Sequence, residues 1–329
     1  MKKTILTVFA AVALAACSTP DIPVSDQNAI SFGNVGTRAG LSDLQNDGFG
    51  VWATITNDQQ NNFLLMDNVK VEYNATSGEW DYSPKAYWTP NTEHEFFAVY
   101  PYDNTTEPPI YTYANGDVKF TVDYPYNDYL VATNTTDTSD EGYDTTVNLN
   151  FQHILTQVGL KIWRDGAKHQ NDQMRIKQVV LGNIRKAGTY SVANEAWSYS
   201  ANAAKLTASW TNDELDETGN IGAAITQDGK LDTGGEPADP FGAMMLLPQS
   251  LDASNRVSLK IEYEIKRNNA VDWESAELET VLPNITWEAG RRYTYNVVLS
   301  SVTDITIYYV QTHVDQWGTP QVGATVIIK

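Results

Sequence analysis

The sequence predicts an all-β chain, with two tandem antiparallel β-sandwiches behind an export signal. Three observations carry this. Apolar residues recur with period two through most of the chain, clusters of Gly, Asn, Asp and Pro break the runs at short intervals, and no segment shows a convincing amphipathic helical period. Composition agrees. The 329 residues hold 18 Tyr, 9 Trp and 9 Phe, with 42% apolar and only 19% charged residues, which excludes a disordered acidic tail. Lys and Arg number 22 against 41 Asp and Glu, a net charge of −19. Nucleic-acid phosphates and anionic lipid headgroups would both be repelled.

Residues 1–16, MKKTILTVFAAVALAA, form a signal peptide. Lys2 and Lys3 are its basic start, and Ile5 to Ala16 its apolar stretch. As a helix that stretch covers about 18 Å, short of the roughly 30 Å needed to span a bilayer. It ends in Leu14-Ala15-Ala16-Cys17, which resembles the lipobox of bacterial lipoproteins. Cleavage before Cys17 and acylation of its sulfur would tether the exported protein, since two or more chains anchor stably where one does not. Cys17 is the sole cysteine, so lipidation excludes a disulfide, a thiol nucleophile and a cysteine metal site. Residues 18–28, with two prolines and no apolar period, read as tether. A small strand follows at 29–35, carrying Ile30 and Phe32, so that 17–38 is tether plus first strand. Thr37-Arg38-Ala39-Gly40 places an arginine among small residues in a loop, an accessible cut for a trypsin-like protease.

The body then alternates. One helical turn is expected at 41–47 and another at 213–217. Val118, Phe120 and Val122 share one face of a strand, as do Val147, Leu149 and Phe151, and Ile154, Thr156, Val158, Leu160 and Ile162. Val257, Leu259, Ile261, Tyr263 and Ile265 form the cleanest run, and 292–299 and 305–310 are β-branched and aromatic. Asn115-Gly116, between 110–113 and 118–124, predicts a hairpin. The most polar stretch, 134–144, suggests a boundary, giving sandwiches at 39–145 and 146–329; a competing boundary lies near 165–171. The last ten residues, 320–329, form a strand with Val322, Ala324, Val326 and Ile328 on its apolar face. It can be the last strand of its own sheet or can complete the sheet of another molecule.

Catalytic and metal-ligating patterns are missing from the sequence. The four histidines, His94, His153, His169 and His313, stand outside any HExxH, and there is no GxSxG, P-loop or dinucleotide glycine pattern. His153 reads as a packed or turn residue. Asp137, Asp140, Glu141 and Asp144 do not match a calcium loop and read as a solvated acidic loop. The aromatics read first as core, and second as surfaces on which sugars could stack. We therefore expect no catalytic residue, metal or cofactor.

Taken together, the chain resembles the fimbrillin family, the type V pilins of Bacteroidetes. The resemblance rests on the lipobox, on Ile30-Ser-Phe followed by Thr37-Arg38-Ala39, and on Phe96-Phe-Ala-Val-Tyr-Pro101. It continues through Phe151-Gln-His-Ile-Leu-Thr-Gln-Val-Gly-Leu-Lys-Ile162, Leu247-Pro-Gln249, Trp287-Glu-Ala-Gly290 before Tyr293-Thr-Tyr295, and Val314-Asp-Gln-Trp317. It implies transthyretin-like sandwiches and a lipid-anchored precursor at the outer membrane. It also implies a cut between Arg38 and Ala39, loss of the first strand with Ile30 and Phe32, and insertion of a C-terminal strand from the next subunit. The partners would be other fimbrial subunits, as shaft or tip, and a ligand on a host or bacterial surface. Two rival readings are a non-polymerising glycan-binding lipoprotein and a sandwich glycoside hydrolase with two carboxylates about 5–10 Å apart.

Overall fold

The computed structural model describes residues 28–37, 41–57, 62–106, 109–123, 127–139, 142, 145–164, 172–200, 205–211, 223–224, 244–299 and 305–313. About two thirds of the described residues are in strands. In the first half these are β1 (Ser31–Thr37), β2 (Phe49–Thr56), β3 (Asn62–Asn74), β4 (Glu79–Tyr82), β5 (Glu93–Tyr100), β6 (Tyr111–Ala114), β7 (Asp117–Asp123), β8 (Leu130–Asp137) and β9 (Thr146–His153). One short helix, α1 (Leu41–Asp47), separates β1 from β2 and occupies the expected turn at 41–47. It sends Leu44 into the core and stops at Gly48, whose φ of 75° suits glycine and whose N–H bonds back to the Leu44 carbonyl.

The all-β expectation holds, but the first half is a closed barrel rather than an open sandwich, in the order β1-β4-β3-β2-β5-β8-β9. The closure is made by β1, which runs parallel to β9 and antiparallel to β4. Sequence alternation cannot show this, because it records which face is buried and not which strands meet. The barrel interior holds Ile30, Phe32 and Val35 of β1 and its approach, with Phe49, Val51, Phe96, Ala98, Val147, Leu149 and Phe151. The opposite faces of β2, β5 and β8 are buried too. Trp52, Phe97, Val99 and Val131 pack outward against Tyr111, Val118 and Phe120. This second core explains why the first six residues of β2 are all buried.

The layer that covers the barrel joins both halves of the chain. It contains β6 and β7 with β12 (Ala187–Ser191) and β13 (Ala196–Ser198), in the order β13-β12-β7-β6. The expected Asn115-Gly116 hairpin links β6 to β7, with both residues at positive φ, 53° and 73°. Residue 146, where the sequence reading divides the chain, opens β9, which pairs with β8 and β1 inside the barrel.

The remaining strands build a third core between two sheets. One contains β10 (Thr156–Arg164), β16 (Met244–Leu246), β21 (Arg291–Leu299) and β22 (Ile305–His313), in the order β16-β10-β21-β22. The other contains β11 (Gln173–Arg185), β14 (Lys205–Thr211), β18 (Ser258–Lys266) and β19 (Glu274–Val281), with β15 (Ala223–Ala224) against β11. A pair formed by β17 (Gln249–Leu251) and β20 (Ile285–Trp287) adds Leu251 and Trp287 to the same core. Residues 155 and 287–295 lock its lower end. Gly290, at φ 68°, donates its N–H to the Leu155 carbonyl at 2.7 Å, and Trp287 Nε1 donates to the Tyr295 hydroxyl at 2.9 Å. The Trp-Glu-Ala-Gly and Tyr-Thr-Tyr pieces are thus fold determinants.

Candidate functional site

β1 is held unequally on its two sides. Along β9 five positions are in parallel register, from Ser31 opposite Thr146 to Thr37 opposite Phe151, with a bulge between Gly33 and Gly36. Along β4 only Phe32 and Trp80 are paired. Between β1 and β4 lies a cleft of about 890 Å³, lined among others by Gly33, Val35, Glu79, Trp80, Asp81 and Lys85. A strand zipped on one side and barely joined on the other sits at the seam of the barrel.

The residues leading into β1 are anchored more firmly. The Ile30 N–H donates to the Ala86 carbonyl at 2.9 Å, and the Tyr82 hydroxyl donates to the Ile30 carbonyl at 2.8 Å. Burial raises the pKa of that hydroxyl, so it stays protonated and able to donate. Trp88 bridges two segments: its backbone N–H donates to the Asn28 carbonyl at 3.1 Å and its indole N–H to the Thr145 carbonyl at 3.1 Å. Ser31 Oγ adds a bond to the same Thr145 carbonyl at 3.3 Å.

Inside the barrel the two first-strand residues singled out in the sequence, Ile30 and Phe32, are 1% and 4% exposed. The Phe32 ring meets three others edge-on: Tyr82 at 5.5 Å, Phe96 at 6.2 Å and Phe49 at 6.3 Å between centroids. Edge-to-face contacts of this kind each add about 0.5–1.5 kcal/mol beyond area burial. The aromatic socket was not visible from the sequence, although the wealth of aromatics was a signal for it.

The other singled-out positions divide as follows. Cys17, Arg38, Ala39, Val322, Ala324, Val326 and Ile328 lie outside the described residues, as do Asp140, Glu141, Asp144, His169 and the turn expected at 213–217. Asp137 accepts from Ser139 Oγ at 2.7 Å. His153 is buried at the end of β9, its Nδ1 2.7 Å from Asp128 Oδ1. Trp52, Trp88 and Trp287 lie in the cores. Among the described residues no group of three or more His, Asp or Glu side chains is placed to hold a metal, and no helix is long and apolar enough to cross a membrane.

A seam strand with an apolar inner face, in an all-β chain of this order of motifs, is what the sequence resemblance leads one to look for. A family model described as fimbrillin-like matches residues 37–317. The chain belongs to the fimbrillin-like family. Among solved structures, a fimbrial protein from Bacteroides vulgatus is 16% identical and has a TM-score of 0.62, covering 87% of this chain and 99% of its own. That likeness shows the fold. A fimbrial assembly protein from Parabacteroides distasonis is 10% identical with a TM-score of 0.41, covering 86% of this chain and 94% of its own. No curated protein matches. The fimbrillin-like match begins at residue 37, the last residue of β1.

Proposed function

We propose that this fimbrillin-like chain is a structural subunit, shaft or tip, of a cell-surface fimbrium, assembled by exchange of β1 for a strand from another subunit. It is exported as a lipoprotein through Cys17 and held at the outer membrane until it is cut between Arg38 and Ala39. The cut severs β1 from α1. Loss of β1 opens the barrel along β9 and β4, exposing unpaired backbone groups beside Val147, Leu149 and Phe151. A donated strand restores both. The C-terminal strand 320–329, with Val322, Ala324, Val326 and Ile328, is this chain's own donor. Burying four or five such side chains gains about 5–10 kcal/mol before ordering costs. Head-to-tail donation does not close, so it yields a filament.

The observation that carries the reading is the position of β1. It is the first of the described strands, it is followed at once by Arg38, and it fills the seam of a barrel whose other six strands do not depend on it for chain continuity. Residues 18–329 treated with trypsin provide the test. Ladders or fibres after cleavage at Arg38, abolished by deleting 320–329, are expected. A cleaved chain that stays an unchanged monomer sinks the exchange reading.

A further inference from the structure

Resting on that reading, the geometry around β1 specifies which strand the groove accepts. Phe32 fills a walled socket. Its neighbours Phe49 and Phe96 are fully buried, and each is braced by further rings: Phe49 by Trp80 at 5.1 Å and Phe151 at 5.0 Å, Phe96 by Trp88 at 5.8 Å. The Tyr82 hydroxyl lies 3.2 Å from the Ala86 carbonyl oxygen and accepts the Ala86 N–H at 3.2 Å, contacts that do not involve the departing strand. Walls held this way cannot close over an emptied socket, so a smaller side chain leaves a cavity.

The next position is as restrictive in the opposite sense. A Cβ on Gly33 would lie 2.5 Å from Thr146 Cγ2, closer than real Cβ contacts come. The groove therefore asks for a ring and then for no side chain. The chain's own C-terminal strand meets half of this. It offers Val322-Gly323, a glycine behind a residue that is not aromatic, and Ala324, Val326 and Ile328 supply no ring either.

We propose that the groove under β1 is built for a donor strand carrying an aromatic residue followed by glycine in the places of Phe32 and Gly33. A strand of this kind from a different subunit therefore binds the groove more tightly than the 320–329 strand of another copy of this chain, so a fibre of this chain alone is the weaker assembly and one formed with the second subunit is mixed at this joint.

The full chain cut after Arg38 allows a direct test by peptide exchange. A fluorescent peptide of residues 28–38 is loaded into the groove and its displacement followed by anisotropy. Competitors are the unlabelled 28–38 peptide, the same peptide with Phe32→Val or Gly33→Val, the 318–329 peptide, and 318–329 with Val322→Phe. Each substituted 28–38 peptide and the 318–329 peptide should compete about tenfold or more weakly than native 28–38, on the scale of a core truncation. Val322→Phe should recover at least about fivefold of that loss. A Phe32→Val peptide within about twofold of native, or a 318–329 peptide as tight as native, overturns the inference while leaving strand exchange standing. No exchange by any peptide overturns the proposed function and this inference together.

Discussion

His94 shows what one buried side chain can do at the root of the seam. It is fully buried on β5, its ring 4.8 Å from Trp88 and 6.4 Å from Phe96. Its Nε2 accepts the Thr89 N–H at 3.2 Å, while Nδ1 lies 3.3 Å from the Thr92 carbonyl oxygen. These partners suit a neutral ring with its proton on Nδ1. Burial holds its pKa below the ordinary histidine value, opposed by the Thr92 carbonyl and the nearby Asp137. The unfolded chain takes up this proton near pH 6.5 and the folded chain only at lower pH. Stability is therefore fully present above about 6.5 and declines as pH falls toward the folded value. Asp81, Asp137 and Asp252 are held below the usual carboxylate value by Lys85, Ser139 and Ser254, so their contributions are lost only in more acid solution. The urea midpoint should drop between pH 7 and pH 5. In His94→Gln the unfolding free energy should start lower, by about 1–3 kcal/mol for the disturbed buried bonds, and the midpoint should fall less over that interval. A wild-type midpoint that does not move from pH 7 to pH 5 contradicts this. Trp88 stands between His94 and the start of β1, so the same acidification should loosen the 28–31 anchor first.

Single elements were legible where one face is wet. β18 alternates along its whole length, and β7 and β9 carry the expected inner residues. β2 and β5 gave no alternation because each is a wall between two cores. β11 breaks step twice, with register shifts between Ile176 and Gln178 and between Leu181 and Ile184, so its period fails locally although it is a continuous strand. With its approach, β1 was readable as a short apolar strand carrying Ile30 and Phe32. Its parallel partner β9 was not, because that partner lies more than a hundred residues along the chain. The β6–β7 hairpin was legible because turn chemistry is local, and it offers a clean measurement. Gly116 sits at φ 73° with open space where a Cβ would be, so a substitution there has only a conformational cost. Gly116→Ala should destabilise by about 1 kcal/mol in urea unfolding, and Gly116→Asn by less, since Asn tolerates this region. Equal losses for the two variants would show that the turn conformation is not what the glycine supplies.

At the scale of the whole molecule, the strands on either side of residue 145, where the sequence reading places its boundary, belong to one sheet. β8, which ends at Asp137, and β9, which begins at Thr146, are neighbours in one barrel. The halves are then stitched twice, by β12 and β13 completing the sheet of β6 and β7, and by Tyr190, Val192 and Leu247 entering the core around Trp52 and Phe97. A fragment ending at residue 145 lacks β9, so it loses Val147, Leu149 and Phe151 and leaves β1 joined only at Phe32–Trp80. It should show no fixed near-ultraviolet dichroism. A fragment ending at residue 155 closes the barrel and keeps β6 and β7, but it loses β12 and β13 and so strips Phe120 of Tyr190 and Trp197 and the second core of Val192 and Leu247. It should be compact and bind hydrophobic dyes strongly, as loosely packed states do. In the uncut chain the shared middle core couples barrel and C-terminal sheets, so fluorescence and far-ultraviolet dichroism should report one transition. Two separated transitions, or a native-like spectrum from the 145 fragment, would mean that the barrel folds without the rest. If the coupling holds, the strand exchange proposed for β1 would be felt by the covering sheet through β2 and β5, whose side chains line both cores. A subunit would then be firmer throughout once its groove is filled than after its own first strand has left.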